Sequence, residues 1–276
     1  MISSMENKRV LVTAGASGIG KEIARSFARA GAKVVICDID ESQLAAASDW
    51  DTPVTAVRCD VSQSAEVDGM FQSMVAAHGG IDVLVNNAGI AGPTKPIDEV
   101  TDEEWGLTMR INVNGQFYCA RRAAALMKAQ ESGAMINLSS VAGRIGMPLR
   151  APYSTSKYAV RGLTDVLAVE LGEFGIRVNS ILPGVIDGPR GKDVVEAQAA
   201  SLGIAPSEYL SAMLHNISLH SLIDMEEIAE LALYLASDAA RHVTAQHISV
   251  CGNFETYRSP LAIKKRDVTI GAKGAE

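Results

Sequence analysis

The sequence predicts an α/β fold: a doubly wound, seven-stranded, mostly parallel sheet with helices on both faces. Two observations carry this. Short apolar runs of strand length alternate with segments of helical period along most of the chain, the pattern of repeated strand–helix–strand units joined by right-handed crossovers. The strand candidates are also continuously apolar, as in VVIC and IDVLV, which is expected when both faces of a sheet are covered.

RVLVTA at 9–14 is the first such run. A glycine-rich turn follows, and KEIARSFARAGA then repeats Ile23, Phe27 and Ala30 at helical spacing, so a helix is expected over about 18–30. KVVIC supplies a second strand at 33–37, and further strands fall at 54–58, 81–86, 134–139, 177–182 and 246–250. Helices are expected between them at about 41–48, 64–78, 102–129, 152–173 and 225–236. No repeat, low-complexity linker or domain boundary interrupts the series, so residues 1–276 read as a single domain. Two segments break the rhythm. Residues 187–222 form a long insertion after the sixth strand, where a substrate-covering lid belongs in such folds. Within it Tyr209, Leu210, Met213 and Leu214 are spaced as one face of an amphipathic helix. Residues 259–276 form a C-terminal tail with a KKR cluster, read either as part of an interface or as a solvated terminus.

Composition narrows the function classes. The 276 residues are 47% hydrophobic, yet no run of eighteen apolar residues occurs, so no membrane span is expected. The opening MISSMENKRV lacks the charged-then-apolar plan of a secretory signal. Cys37, Cys59, Cys119 and Cys251 are scattered without a CxxC pair, which suits a reducing cytoplasm. A net charge of −7 argues against nucleic acid as a partner. His78, His215, His220, His242 and His247 fall in no zinc-binding spacing, so no metal is expected.

Chemistry concentrates at three places. The first is the turn Gly15-Ala16-Ser17-Gly18-Ile19-Gly20, set between a strand and a helix. A dinucleotide fingerprint requires that context. The glycines let the backbone approach a pyrophosphate, and the helix start offers free N–H groups and the positive end of a dipole. The second is Asp38, eighteen residues after Gly20 at the end of the second strand. A carboxylate there accepts hydrogen bonds from a ribose 2′-hydroxyl and repels a 2′-phosphate. No Arg or Lys lies within the turn or directly after Asp38, so the electrostatics favour NAD over NADP.

The third place is PYSTSKYAV, where Tyr153 and Lys157 stand four residues apart, with Ser140 thirteen residues upstream. Positions i and i+4 share a helix face, so a phenol and an ammonium group point into one space. A free tyrosine ionises near pH ~10, too high for a base at neutral pH. A nearby cation lowers that value. Bringing it to ~7 takes about 4 kcal/mol of differential stabilisation, within reach of one close cation plus a cofactor charge. Alone, the pair is an ordinary feature of amphipathic helices; the fingerprint before it gives it force.

Seven separated motifs stand in order: TAGASGIG (13–20), Asp60-Val61 after the third strand, NNAG (86–89), Asn112 in INVNG, Ser140 in NLSSVAG, YSTSK (153–157) and Pro183-Gly184. On these, the chain from roughly Lys8 to Tyr257 resembles the short-chain dehydrogenase/reductase family, in its single-domain NAD-dependent branch. The resemblance implies a Rossmann-type fold and hydride transfer between a secondary alcohol or ketone and NAD. It implies Tyr153 as the acid/base, with Lys157 lowering its pKa and holding the nicotinamide ribose. Ser140 would touch the substrate oxygen, and Asn112 would hold a water linking Lys157 to solvent. For the cofactor it implies Gly15, Ser17, Gly18, Ile19 and Gly20 in the turn, then Asp38 with Ile39. Asp60 and Val61 would meet the adenine, and Asn87, Ala88 and Gly89 would line the groove. Tyr153, Lys157, Pro183, Gly184 and Ile186 would meet the nicotinamide end. Two departures stand out. The family usually has Gly where Ala14 stands, and Gly15 is expected to absorb the change. It often has Thr where Gly188 stands, so any contact that Thr makes must come from elsewhere.

The substrate stays open between a sugar or polyol, a hydroxy acid, a steroid-like alcohol and a 3-hydroxyacyl thioester. Arg144 and Arg150 lie between Ser140 and Tyr153, and Arg190 follows the Pro-Gly turn. If two of them point inward they can hold an anionic group in a guanidinium fork; otherwise they are surface arginines. Two other readings remain: a 3-oxoacyl-thioester (acyl-carrier-protein) reductase using NADPH, and a non-catalytic NAD-binding protein. The second ought to have lost Tyr153, Lys157 or Ser140. By resemblance a homo-oligomer is expected, a tetramer or dimer. In the helix over 152–173, Ala159, Leu163, Val166, Leu167 and Val169 exceed what one buried stripe needs.

Overall fold

Successive side chains of a strand point to opposite faces, so a continuously apolar strand must be covered twice. In the computed structural model, which describes residues 5–254, β1 (Arg9–Thr13) sends Val10 and Val12 into one apolar cluster and Leu11 into another. The same division runs through β2 (Lys33–Asp38), β4 (Val83–Asn86), β5 (Gly133–Leu138) and β6 (Ile176–Pro183). With β3 (Thr55–Arg58) and β7 (His247–Val250) at the edges, the sheet has the order β3-β2-β1-β4-β5-β6-β7. Every ladder is parallel.

One layer contains α1 (Gly18–Arg29), α2 (Glu41–Ala46) and α9 (Met225–Ala236), which bury Ile23, Phe27, Leu44, Ile228 and Leu233 on one face. The other contains α3 (Ser64–His78), α5 (Gly115–Gln130) and α6 (Ala151–Leu171), burying Phe71, Met74, Met127 and Leu171. The chain winds outward from β1 to β3, then returns to place β4 on the other side of β1. Crossovers leave in opposite directions there, opening a crevice beyond the carboxyl ends of β1 and β4. Among the described residues no helix is long and apolar enough to cross a membrane.

Three features differ from the sequence expectation. The helix expected over 102–129 is α4 (Asp102–Met109), a π-helical turn at Arg110–Asn114, and then α5. The wider turn fits an extra residue into the helical path and coincides with the burial of Asn112. The insertion folds as two helices, α7 (Pro189–Leu202) and α8 (Pro206–His215), of which the periodicity showed only the second. Its ends are pinned together: Ile186 and Ile223 form a bridge, with Asp187 N donating to Ile223 O (3.0 Å) and Ile223 N to Val185 O (3.0 Å). The tail expected at 259–276 lies outside the described residues.

The third difference is at Ala14. Gly15 does not absorb the missing glycine; Ala14 itself takes a left-handed φ of 49°. Gly15 is required for space instead, since a Cβ there would lie 2.8 Å from Ile36 and from Val12 O. A left-handed alanine costs about 1–2 kcal/mol, partly offset by the greater backbone entropy that a glycine loses on folding, about 0.5–1 kcal/mol. Ala14→Gly is therefore expected to stabilise the protein by about 0.5–1 kcal/mol in denaturant unfolding; a loss of stability would show that the turn is held differently.

Candidate active site

The crevice is tied together across its two halves. Thr13 Oγ1, at the end of β1, accepts from Asn87 N and Ala88 N (3.0 Å each), and Asn87 Nδ2 donates to Thr13 O and Ala14 O (3.0 Å each). The start of α1 packs onto this knot: a Cβ on Gly20 would lie 2.1 Å from Ala14 O and 2.5 Å from Asn87 Nδ2. Gly18 turns at φ 54° beside open space. Ser17, the residue before α1, makes no side-chain cap, so the first N–H groups of the helix are available to an anion.

Asp38 sits at the rim, its carboxylate accepting from Ala16 N (3.3 Å), Ile39 N (2.8 Å) and Asp40 N (3.3 Å). Ile39 is exposed beside it. Arg58, in register with Asp38 on β3, is engaged by Glu66 at 2.6 Å. Asp60 holds the next turn by accepting from Ser62 N (2.9 Å), while Val61 is buried against Gly115, whose Cβ would lie 2.9 Å from Val61 Cγ2.

On the other wall the two serines after β5 divide their duties. Ser139 Oγ donates to Lys157 O (2.8 Å), fastening the strand end to α6. Ser140 Oγ accepts from Ala142 N (3.1 Å), and its hydroxyl is one of the groups that favour the Tyr153 phenolate. Lys157 is buried, and its ammonium donates to Leu138 O (2.8 Å) and lies 5.7 Å from the Tyr153 ring centre. Burial pushes the tyrosine's pKa up, but Lys157, Arg190, Ser140 and Arg150 together outweigh it and hold the phenol below its usual value. Burial likewise holds Lys157 below the ordinary lysine value.

Asn112 is buried with its side chain spent on the protein. Its Oδ1 accepts from Ile90 N (2.7 Å), and its Nδ2 donates to Ile90 O and Ser156 Oγ (3.0 Å each). Gly89 runs close by; a Cβ there would lie 3.1 Å from Asn112 Oδ1 and 3.4 Å from Lys157 Nζ. Pro183 ends β6, Gly184 N donates to Val250 O (2.8 Å), and Ile186 forms the bridge at the base of the insertion. At Gly188 the backbone is extended, and Met225 Cε lies 2.3 Å from where a Cβ would be. Met225 thus lies where a side chain at 188 would begin.

The three candidate arginines separate. Arg144 reaches away to β7, donating to Ser249 Oγ (3.1 Å) and His247 O (2.7 Å), so its inward reading is corrected: linear spacing does not say which way a loop faces. Arg150 and Arg190 do come to Tyr153. Sequence reasoning passed over Thr13, Ser156 and Tyr209. The first two stand inside quoted motifs, two residues before the turn and three after Tyr153, whereas Tyr209 carried only an amphipathic spacing.

Such a crevice, with a phenol and an ammonium group at its mouth, defines an oxidoreductase of CH–OH groups that uses a nicotinamide cofactor. A family profile described as enoyl-(acyl carrier protein) reductase matches residues 13–254. A 3beta-hydroxysteroid dehydrogenase of Mediterraneibacter gnavus is 35% identical over 271 residues, covering 93% of this chain and 98% of that one. An actinorhodin polyketide ketoreductase crystallised with NADPH superposes with a TM-score of 0.87 at 31% identity, covering 91% and 98% of the two chains. An NAD+-bound xylitol dehydrogenase gives 0.86 at 29%, covering 90% and 98%. The chain belongs to the short-chain dehydrogenase/reductase family.

The lowered phenol has a direct readout. In a pH titration of tyrosinate absorbance, the difference between wild type and Tyr153→Phe should show one tyrosine ionising below the ordinary value of about 10. Lys157→Met removes a cation that favours the phenolate, so that inflection should move to higher pH; an unmoved inflection would show that Lys157 does not set it.

Proposed function

We propose that the protein is an NAD-dependent dehydrogenase of a secondary alcohol, with Tyr153 as its acid/base. The observation that carries this is the phenol held below its usual pKa by the buried Lys157 ammonium at the mouth of the crevice. Oxidation of an alcohol needs a base, and the phenolate fraction of Tyr153 grows as pH rises through its lowered pKa. In the reverse direction the neutral phenol returns the proton. Ser140, close enough to the phenol to favour its ionised form, is placed to share the same substrate oxygen.

The crevice fits a nicotinamide dinucleotide. The uncapped start of α1 and the turn of Gly15, Ser17, Gly18, Ile19 and Gly20 suit a pyrophosphate. Asp38 and Ile39 suit the adenosine ribose, Asp60 and Val61 the adenine, and Asn87, Ala88 and Gly89 the groove between. Lys157, Pro183, Gly184 and Ile186 face the nicotinamide end. When bound, the nicotinamide supplies the hydride acceptor or donor. Asp38 supports NAD over NADP, because its carboxylate opposes a 2′-phosphate and Arg58 is already paired with Glu66. With the Asn112 side chain committed to Ile90 and Ser156, a relay water beside Lys157 would be held by its backbone rather than by its amide.

The same carboxylate disfavours an NADPH-dependent thioester reductase, and the presence of Ser140, Tyr153 and Lys157 together disfavours a non-catalytic binder. A homo-oligomer is supported by apolar side chains left at the surface of α5 and α6: Phe117, Tyr158, Val166 and Val169, the last 82% exposed. Buried thiols at Cys37, Cys59 and Cys119 support a reducing cytoplasm.

Tyr153→Phe should lower kcat by about 10²–10⁴-fold, the usual worth of a positioned acid/base, while NADH affinity by fluorescence stays unchanged. Near-normal turnover would refute the proton-transfer role. Asp38→Ala should move the NADP-to-NAD ratio of kcat/KM upward by about tenfold or more, since relieving one like-charge contact is worth more than ~1.4 kcal/mol. An unchanged ratio would remove the argument for NAD.

A further inference from the structure

Two arginines beside Tyr153 help to hold its phenol below the usual value, yet among the described residues neither has a carboxylate partner. Arg150 directly precedes α6 and follows Leu149, whose backbone is left-handed at φ 64°. It is only 5% exposed, and its guanidinium lies 4.8 Å from the Tyr153 ring centre. Its hydrogen bonds go to neutral acceptors, Thr94 Oγ1 (3.2 Å) and Ala91 O (3.1 Å). Among the described residues no carboxylate pairs with it. Arg190, in the first turn of α7, donates to Gly89 O (2.9 Å) and lies near enough to oppose the charges of both Arg150 and Lys157. Three cations therefore meet around one tyrosine, and among the described residues no carboxylate pairs with them. A buried charge without a counter-ion is costly, and like charges gathered in one cleft add to that cost.

We propose that the substrate carries an anionic group, a carboxylate or a related oxyanion, which Arg150 and Arg190 hold while its carbinol carbon meets Tyr153 and Ser140. This rests on the dehydrogenase reading and narrows it to a hydroxy acid and its oxo acid. The hydroxy acid loses a hydride from its carbinol carbon to NAD+ and its hydroxyl proton to the Tyr153 phenolate. The products are the oxo acid and NADH, with the anionic group unchanged. Because the Arg150 guanidinium sits against the tyrosine ring, anion and carbinol belong to one small molecule and are separated by a few bonds. A neutral polyol or a sterol leaves the buried Arg150 uncompensated, whereas the exposed Arg190 keeps its water. Tyr209 of α8 lies close enough for its charge state to be felt by Arg150, which brings the insertion to the same point. The pinned base of the insertion brings Arg190 to the same point.

The rival role for Arg150 is a strut between α6 and the loop at Ala91 and Thr94. Calorimetry with NADH present separates the two, using malonate and its neutral counterpart malonamide on wild type, Arg150→Met and Arg150→Lys. Malonate should bind wild type about tenfold or more tightly than malonamide, as a charge-assisted fork implies. Arg150→Met should lose that margin and Arg150→Lys part of it, with NADH affinity unchanged in both. Equal binding of the two probes, or a malonate affinity indifferent to both variants, overturns the proposal. NADH formation is then followed on 2- and 3-hydroxy acids and on amides of matched length, where the acids should be preferred about a hundredfold in kcat/KM, the worth of a charge-assisted contact made twice. Turnover of neutral polyols that Tyr153→Phe abolishes and Arg150→Met leaves alone sinks the anion site and keeps the dehydrogenase. Arg150-dependent malonate binding together with turnover that survives Tyr153→Phe does the reverse.

Discussion

A buried ammonium group with no carboxylate beside it among the described residues is the constraint around which this site is arranged. Lys157 is charged only because its surroundings compensate in other ways: a carbonyl from the end of β5 and a phenol one helical turn back. The phenol is held below its usual pKa for the same reason the ammonium is tolerated. Neither group has its properties alone. The two stand on one helix face, so α6 must be held rigidly against the sheet. Ser139 does this by gripping the helix backbone at Lys157, and the chain at Gly143 passes so close that a Cβ would lie 2.7 Å from Lys157 O.

The nucleotide half of the crevice is organised by a different economy of contacts. A single threonine hydroxyl and a single asparagine amide join β1 to the segment after β4, where the sheet's winding reverses. Those bonds satisfy backbone groups that a strand end would otherwise leave to water. They also fix the distance between the turn at Gly15–Gly20 and the segment at Asn87–Gly89. A glycine at 20 is then a matter of volume and one at 18 a matter of backbone angle. Ala14 shows the fold overriding local preference, because the knot holds the residue in a conformation its methyl group opposes.

Most of the architecture was legible because its signals were long and redundant. The strands are apolar without interruption, and the helices at 64–78 and 225–236 appear at the limits the sequence indicated. What escaped had weak or misleading signals. The π turn at Arg110–Asn114 sits inside an unbroken helical pattern, and nothing in residue type marks an extra residue in a helical path. Helix α7 buries only Val195, Gln198 and Ala199, too few for a stripe to show. In the site, the interval to Tyr153 pointed to Ser140 rather than Ser139, whose hydroxyl is spent on Lys157 O. Arg144 and Arg150 lie on an irregular loop, where no periodicity tells inward from outward, and only the fold sends one to β7 and the other to the tyrosine.

The closed base of the insertion has an evolutionary consequence. Since the segment between Ile186 and Ile223 leaves and rejoins the scaffold at neighbouring points, it is built as an interchangeable cassette. Helices there can lengthen, rotate or exchange their lining residues without disturbing the β1 knot or the register of β6. Change toward new alcohols therefore has a route through α7 and α8 that leaves the β1 knot untouched, with Arg190 and Tyr209 as the points where that route meets the tyrosine.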